Sequence, residues 1–240
     1  FRSGATAGST AVRLNGTTGY VRSTSPITVG TTFSQSIWVN TTTRVGGDLR
    51  GVSNSATGAG TVNDRVLWMD NNGQVAFGMR SSGRQFPLIR SRTAINDGQL
   101  HQVVVTYDGT NLQLYVDGAP SRDHVPVPAV TTPINPGSVY LRAGYTNLVN
   151  FYSVFGRNYA NLPAPTSYFF DGAIDEVTFD DSVLTPAQVA AQYAAALATP
   201  GSGTATTTTS TTTSTTTSTT TSTTTSTTTS TSTSTTTSTT

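Results

Sequence analysis

Residues 95–118 read INDGQLHQVVVTYDGTNLQLYVDG, and this stretch decides the fold. Val103, Val105 and Tyr107 fall on one parity of residues 101–107, and Leu112, Leu114 and Val116 on one parity of residues 112–116. A strand sends alternate side chains to opposite faces, so each run offers one apolar face to a core. Between them stands Asp108-Gly109-Thr110-Asn111, where Gly and Asn tolerate positive φ and Asp bonds its own backbone. The stretch is predicted to be a β-hairpin.

Outward from the hairpin, the same signals recur. Residues 11–14 lead into the turn Asn15-Gly16 and the run Tyr20-Val21. Residues 33–39 put Phe33, Ile37 and Val39 on one parity and Trp38 on the other. Residues 65–69 and 74–79 flank Asn71-Asn72-Gly73, and residues 139–143 and 173–179 are the last strand candidates. Short β-branched and aromatic runs with a turn every few residues predict an antiparallel sandwich. One helix is expected after them. Thr185 can cap it, Pro186 suits the first helical position, and Gln188 completes a capping box. Val189, Tyr193 and Leu197 recur at a spacing of four and form a narrow apolar stripe.

Three blocks carry a family resemblance. AVRLNGTTGYV at 11–21 with TTFSQSIWVN at 31–40, the hairpin at 95–118, and FDGAIDEVTFDDSVLTPAQVAAQY at 170–193 occur in the order seen in laminin-G-like domains of the concanavalin A-like lectin and glucanase superfamily. The sequence resembles that family from about Ala11 to Tyr193. It departs at Leu100, where the family usually has Trp, at Gln102, in place of a frequent second His, and across residues 146–168, which read as an insertion. The resemblance implies an all-β, two-sheet antiparallel jelly-roll sandwich with a short C-terminal helix. It implies a secreted or surface module and leaves the function open, because this fold hosts lectins, adhesion modules, enzymes and spacers.

Composition narrows the classes. There is no Cys, so disulfides, thiolate nucleophiles and Cys-ligated zinc are excluded. The 13 basic residues, all Arg, nearly balance the 12 acids, so net charge argues neither for nucleic acid nor for an anionic membrane. No apolar run approaches the ~20 residues of a membrane helix. The chain opens at Phe1 without Met or leader, which reads as a processed or truncated product. The lack of Lys and Cys beside abundant Ala, Arg and Thr points to a bacterial source.

For catalysis, a retaining glycosidase needs two carboxyl groups about 5–5.5 Å apart. Glu176 is the only Glu, and on a regular strand the adjacent Asp175 and Glu176 face opposite ways. Asp175 shares parity with Val177 and Phe179. It is therefore expected among apolar neighbours, with an Arg, backbone donors or a cation as partner. No cofactor is required. A structural calcium is the one metal considered, with Asp108, Asp117, Asn147 and Asp175 as candidate ligands, although Asp108 and Asp117 precede Gly in turns. His101 and His124 have no sequence-visible nucleophile or metal-ligand partner and read as packing or surface residues. The candidate partner loop lies in the insertion: Phe151, Tyr152, Phe155, Arg157, Tyr159 and Tyr168. Aromatic rings with Arg and Asn suit sugar stacking or a protein hot spot, and the alternative is a lid packed on its own sandwich.

Residues 206–240 contain only Thr and Ser. Such a tail has nothing with which to build a core. It is a field of O-glycan acceptors in the manner of a mucin-type stalk, and Thr206, Thr207, Thr208, Thr209, Ser210, Thr211, Ser214, Ser218, Ser222, Ser226 and Ser230 are the named candidates. Every Ser in it has an even number, so an extended strand would carry a Ser face and a Thr face. The organisation expected is a jelly roll over 1–198, a linker over 199–205 and the tail over 206–240. The function expected is a non-enzymatic extracellular structural or adhesive module, a self-associating subunit of a glycosylated surface fibre, stalk or array. The alternative is a carbohydrate-binding module, with glycans as partners, tethered by an O-glycosylated linker. A glycoside hydrolase is disfavoured by the single Glu.

Overall fold

The structure, a computed structural model, describes residues 2–3, 10–80, 87–127, 139–146 and 165–198. In chain order its strands are β1 (Arg2–Ser3), β2 (Thr10–Asn15), β3 (Val21–Arg22), β4 (Phe33–Asn40), β5 (Gly47–Ser53), β6 (Asn63–Met69) and β7 (Gln74–Gly78). They continue with β8 (Leu88–Ala94), β9 (Leu100–Tyr107), β10 (Asn111–Val116), β11 (Ala119–Pro120), β12 (Val125–Pro126), β13 (Tyr140–Ala143) and β14 (Asp171–Asp180). Helix α1 (Pro186–Leu197) follows. One sheet runs β1-β2-β14-β4-β9-β10-β11 with β12 beside β10, and the other runs β3-β13-β5-β6-β7-β8. All pairings are antiparallel. This is the jelly-roll sandwich expected from the sequence.

The core forms where the apolar parities of the two sheets meet. Phe33, Ile37 and Val39 of β4, Val103, Val105 and Tyr107 of β9, and Leu112 and Leu114 of β10 pack against Leu67, Met69, Val75, Phe77 and Ile89 of the facing sheet. In the hairpin, Leu112 pairs with Tyr107 and Val116 with Val103, the register that puts both apolar parities inside. Burying such a side chain contributes about 1.5–3 kcal/mol.

Helix α1 begins where its cap predicts. The Thr185 side chain accepts from the Gln188 N–H, and the Gln188 Oε1 accepts from the Thr185 N–H at 2.8 Å. Val189 is its one buried residue and packs with Leu184 on Val104 and Tyr115, on the outer face of the β9–β10 hairpin. Tyr193 stacks on Trp38, with ring centroids 5.6 Å apart and planes 11° apart.

Two irregularities break the simple alternation. In β14, Asp175 pairs with Trp38 but Thr178 pairs with Ser36, so three residues span two on β4. Glu176 occupies the bulge at φ 46°. The expected parity of Asp175 is thereby overturned. Ile174 points into the core and Asp175 lies on the outer face with Trp38; past the bulge, Val177 and Phe179 return to the core side. The expectation that Asp175 and Glu176 face opposite ways fails for the same reason. Glu176 lines the same outer cleft as Trp38 and Thr178.

The second irregularity lies in β5. Asp48 pairs with Trp68, and Arg50 pairs with Leu67, so one bulge turns residues two apart to opposite faces. Arg50 enters the interior with its guanidinium 5.5 Å from the Phe179 ring centroid. Asp48 points to the other side. A compensating shift follows in β6 at Arg65, at φ 48°, whose guanidinium lies 5.2 Å from the Phe33 ring centroid and donates to Asp64 over 2.7 Å.

Candidate functional site

On the outer face of the second sheet, Arg142 of β13 lies opposite Gly51 and is fully buried. Its guanidinium is 4.5 Å from the Tyr20 ring centroid and 5.1 Å from that of Tyr145. Its Nη1 donates to the Gly58 carbonyl over 2.7 Å, while Nε and Nη2 have no hydrogen-bond partner among the described residues. Burial pulls its pKa below the ordinary arginine value. Tyr145 in turn stacks on Phe169, at 4.2 Å with 5° between planes. Tyr20, Tyr145 and Phe169 are all half-buried, so this trio of rings remains partly open to solvent around a cation held behind it.

Each ring is held by its own local structure. Tyr20 ends a loop built on Asn15, whose side-chain oxygen accepts from the N–H groups of Thr17, Thr18 and Gly19 at 3.0–3.1 Å. Gly144 joins Tyr145 to this loop. It lies at φ +89°, and a Cβ there would fall 2.3 Å from Leu14 Cδ1. Its N–H donates to Leu49 and its carbonyl accepts from Phe170. Asp48 then fastens both sides of the Tyr145–Phe169 stack. Its Oδ2 accepts from the Thr146 N–H at 2.6 Å and from the Thr146 hydroxyl, and its own N–H donates to the Tyr168 carbonyl at 3.2 Å. Burial pushes the Asp48 carboxyl up to about 7, against the Thr146 hydrogen bonds and the nearby Arg142 charge, which pull it down.

Of the six aromatic-loop candidates, Tyr168 is half-buried and adjoins the platform through Phe169. Phe151, Tyr152, Phe155, Arg157 and Tyr159 lie outside the described residues, as do Asn147 and the whole 206–240 tail. Residues 146 and 168, which bound the insertion read from sequence, are both fastened to Asp48. Sequence reasoning missed Tyr20, Tyr145, Phe169 and Arg142 as one site. The only written signal was the aromatic richness of the segment that begins beside Tyr145.

The described calcium candidates are not brought together. Asp108 accepts from the N–H groups of Thr110 and Asn111 in its own turn. Asp117, at the far end of the same hairpin, accepts from the Gln102 N–H and meets His101 Nδ1 at 2.7 Å. Asp175 pairs with Trp38, which pairs with Gln102, so it lies on the same row of the sheet as Asp117 and is separated from it by those two strands. The described residues hold no group of three or more His, Cys, Asp or Glu side chains able to hold a metal. His101 instead bridges Asp117 and Asp97, the latter through Nε2 at 3.0 Å, and the two carboxylates raise its pKa above the ordinary value against the desolvation that lowers it.

Among the described residues, no helix is long and apolar enough to cross a membrane. No curated protein sequence matches the chain. Solved structures are similar in fold. A CBM40 module of the Ruminococcus gnavus IT-sialidase bound to α2,3-sialyllactose aligns at TM-score 0.52 and 16% identity, covering 77% of this chain and 97% of that one. Domain 4 of an extracellular GH43 arabinanase from Geobacillus stearothermophilus, in complex with arabinotriose, aligns at 0.50 and 19% identity, covering 75% of each chain. Domains LG4-5 of the mouse laminin α1 chain align at 0.52 and 16% identity, covering 73% of this chain and 43% of that one. At such identities the likeness is one of fold. The family model described as the concanavalin A-like lectin/glucanases superfamily matches residues 15–190, and with the two-sheet jelly roll this places the chain in that superfamily.

Proposed function

We propose that this chain is a non-catalytic, extracellular carbohydrate-binding module with an adhesive role. The observation that carries the reading is the half-open platform of Tyr20, Tyr145 and Phe169 clamped from behind by Arg142. Rigid aromatic faces stack on the C–H faces of pyranose rings, and a preorganised ring loses little entropy on binding. Two of the similar folds carry oligosaccharides, which supports the same direction. The non-catalytic reading rests on the single Glu of the sequence, since the β14 bulge removes the argument from opposite faces. A glycan array probed with the full chain tests the function. Retention of at least one glycan is expected, with affinity reduced tenfold or more in Tyr145→Ala of unchanged melting behaviour. A folded chain that retains no glycan overturns it.

The Thr/Ser tail favours a companion reading, in which the module is carried on an O-glycosylated stalk and self-associates into a surface fibre or array. Thirty-five consecutive hydroxylated residues have little apolar surface to bury, so order in them needs glycans or a neighbouring sheet edge. Native mass measurement separates the two sources. Sugar-sized mass steps support the stalk, multiples of the subunit mass support assembly, and an unmodified monomer removes both.

A further inference from the structure

Strand β14 is covered unequally on its two sides. β4 accompanies it from Ala173 to Asp180, whereas β2, on the other side, leaves it after Ile174. Among the described residues no strand takes the β2 side of Val177–Asp180. Beside this open edge the two sheets do not close on each other. A slot of about 370 Å³ enters between them, lined by Val177, Thr178, Phe179 and Asp181 on one lip and by Ile27, Thr28 and Leu141 on the other. Ile27, Leu141, Val177 and Phe179 are all only half-buried. Phe179 ties the slot to the core by stacking on Phe33, with centroids 5.6 Å apart. An open strand edge offers backbone hydrogen bonds, and an apolar slot beside it covers alternate side chains. Those are the two halves of a strand-addition site.

We infer that the Thr/Ser tail of a neighbouring copy adds to the Val177–Asp180 edge as a strand, with its odd-numbered threonines in the slot. This names the contact of the assembly reading above and rests on that reading. The chemistry of the lining is the first reason. Val177, Ile27 and Leu141 are apolar, while Thr28, Thr178 and Asp181 bring hydroxyls and a carboxylate. Threonine carries a methyl and a hydroxyl on one Cβ, so it serves both kinds of neighbour, and its branching suits a strand. Reach is the second. At about 3.3 Å per residue the 35-residue tail spans roughly 115 Å, several times the radius of a domain of this size.

Charge and parity choose among occupants. Glu176, Asp180 and Asp181 flank the edge, and no cation is among the lining residues of the slot. A second copy of the same edge, paired about Thr178, would set Glu176 opposite Asp180 and put like charges face to face. The tail carries no charged side chain between residues 206 and 240 and escapes that repulsion. Every odd residue from 207 to 239 is Thr, and all nine Ser are even. A slip by two residues therefore presents the same face again, so a short edge finds an equivalent partner at many places along the tail. The even-numbered residues then face away from the slot and stay accessible to glycans.

Cysteine pairing tests this, because the chain has no Cys of its own. Full chains bearing Thr28→Cys, at the exposed lip of the slot, are mixed under mild oxidation with chains bearing Thr219→Cys or Ser218→Cys, all made in a host that adds no glycans. Asn72→Cys, exposed on the β6–β7 turn, replaces Thr28→Cys as the control. Disulfide links between positions 28 and 219 are expected, about tenfold more abundant than links from 28 to 218 or from 72 to 219, because docking raises the local thiol concentration. Equal yields, or no links, overturn the docking. Self-linking of the Thr28→Cys chain in excess of the mixed product would mean that two edges meet instead, and overturns it too. Native mass of the parent chain separates the two readings. Multimers without position-specific links keep the assembly and remove this edge, and monomers without links remove both.

Discussion

The backbone N–H of Thr146 donates to the Oδ2 of Asp48 across 2.6 Å, joining the end of β13 to a bulged position of β5. The carboxyl receiving this bond is fully buried, its other oxygen has no partner among the described residues, and its pKa lies near 7 rather than 3.8. The fold therefore favours the neutral acid. Its contribution to stability is complete below about pH 4 and is withdrawn as pH rises through about 7. Asp48→Asn keeps the shape and an acceptor for Thr146 without the charge. We expect it to match the parent chain near pH 4.5 and exceed it at pH 8.5 by roughly 2–4 kcal/mol. Urea melts at the two pH values measure this, and a difference that does not change with pH would contradict it.

His101 supplies a second pH dependence at another place. Asp117 and Asp97 raise its pKa above 6.5, so the imidazolium is the stabilised form. Its contribution is present below about pH 6.5 and is lost as pH rises through the folded-state value. His101→Gln should lower the melting temperature by a few degrees at pH 5.5 and by much less at pH 9. An equal loss at both values would mean that His101 acts through packing alone.

Arg50 is a buried cation whose three guanidinium nitrogens have no hydrogen-bond partner among the described residues. Burial draws its pKa down to about 9, and the Phe179 ring is the aromatic face it meets among the described residues. A charge so placed costs more to desolvate than one such contact returns. Arg50→Met is expected to raise stability by about 1–4 kcal/mol. Loss of stability in that variant would show that the cation has a partner the fold depends on.

The capped helix closes the described fold, and nothing apolar follows Leu197 except scattered Ala. A chain ending at Pro200 should therefore melt within a few degrees of the 240-residue chain. A fall of ten degrees or more, or precipitation, would make the Thr/Ser segment part of the folded unit.

Period-two patterns made much of the fold legible. The β9–β10 hairpin and the inward parity of Phe33, Ile37 and Val39 followed from alternation, and helix α1 followed from Thr185, Pro186 and Gln188. Strand β5, GDLRGVS, was not anticipated because its buried residues include Asp48 and Arg50, which composition assigns to the surface. β8 was missed for the opposite reason, as Arg90, Arg92 and Thr93 make an edge strand read like a loop. The platform was hidden because Tyr20 and Phe169 are distant in the chain from the neighbours Arg142 and Tyr145, and the four meet only when β3, β13 and the segment before β14 come together. Gly144 allows that meeting, and no local pattern announces it.

The bulge at Glu176 separates heredity of the cleft from heredity of the core. Ile174 and Val177 face inward on either side of it, and the extra residue is absorbed without displacing either from the core. Position 176 can thus be deleted, restoring plain alternation, with the inward sequence on both flanks retained. A chain lacking Glu176 should fold with its core intact and its cleft rewritten. A single-codon deletion would therefore take this carboxylate out of the cleft and leave the inward sequence of the sandwich unchanged.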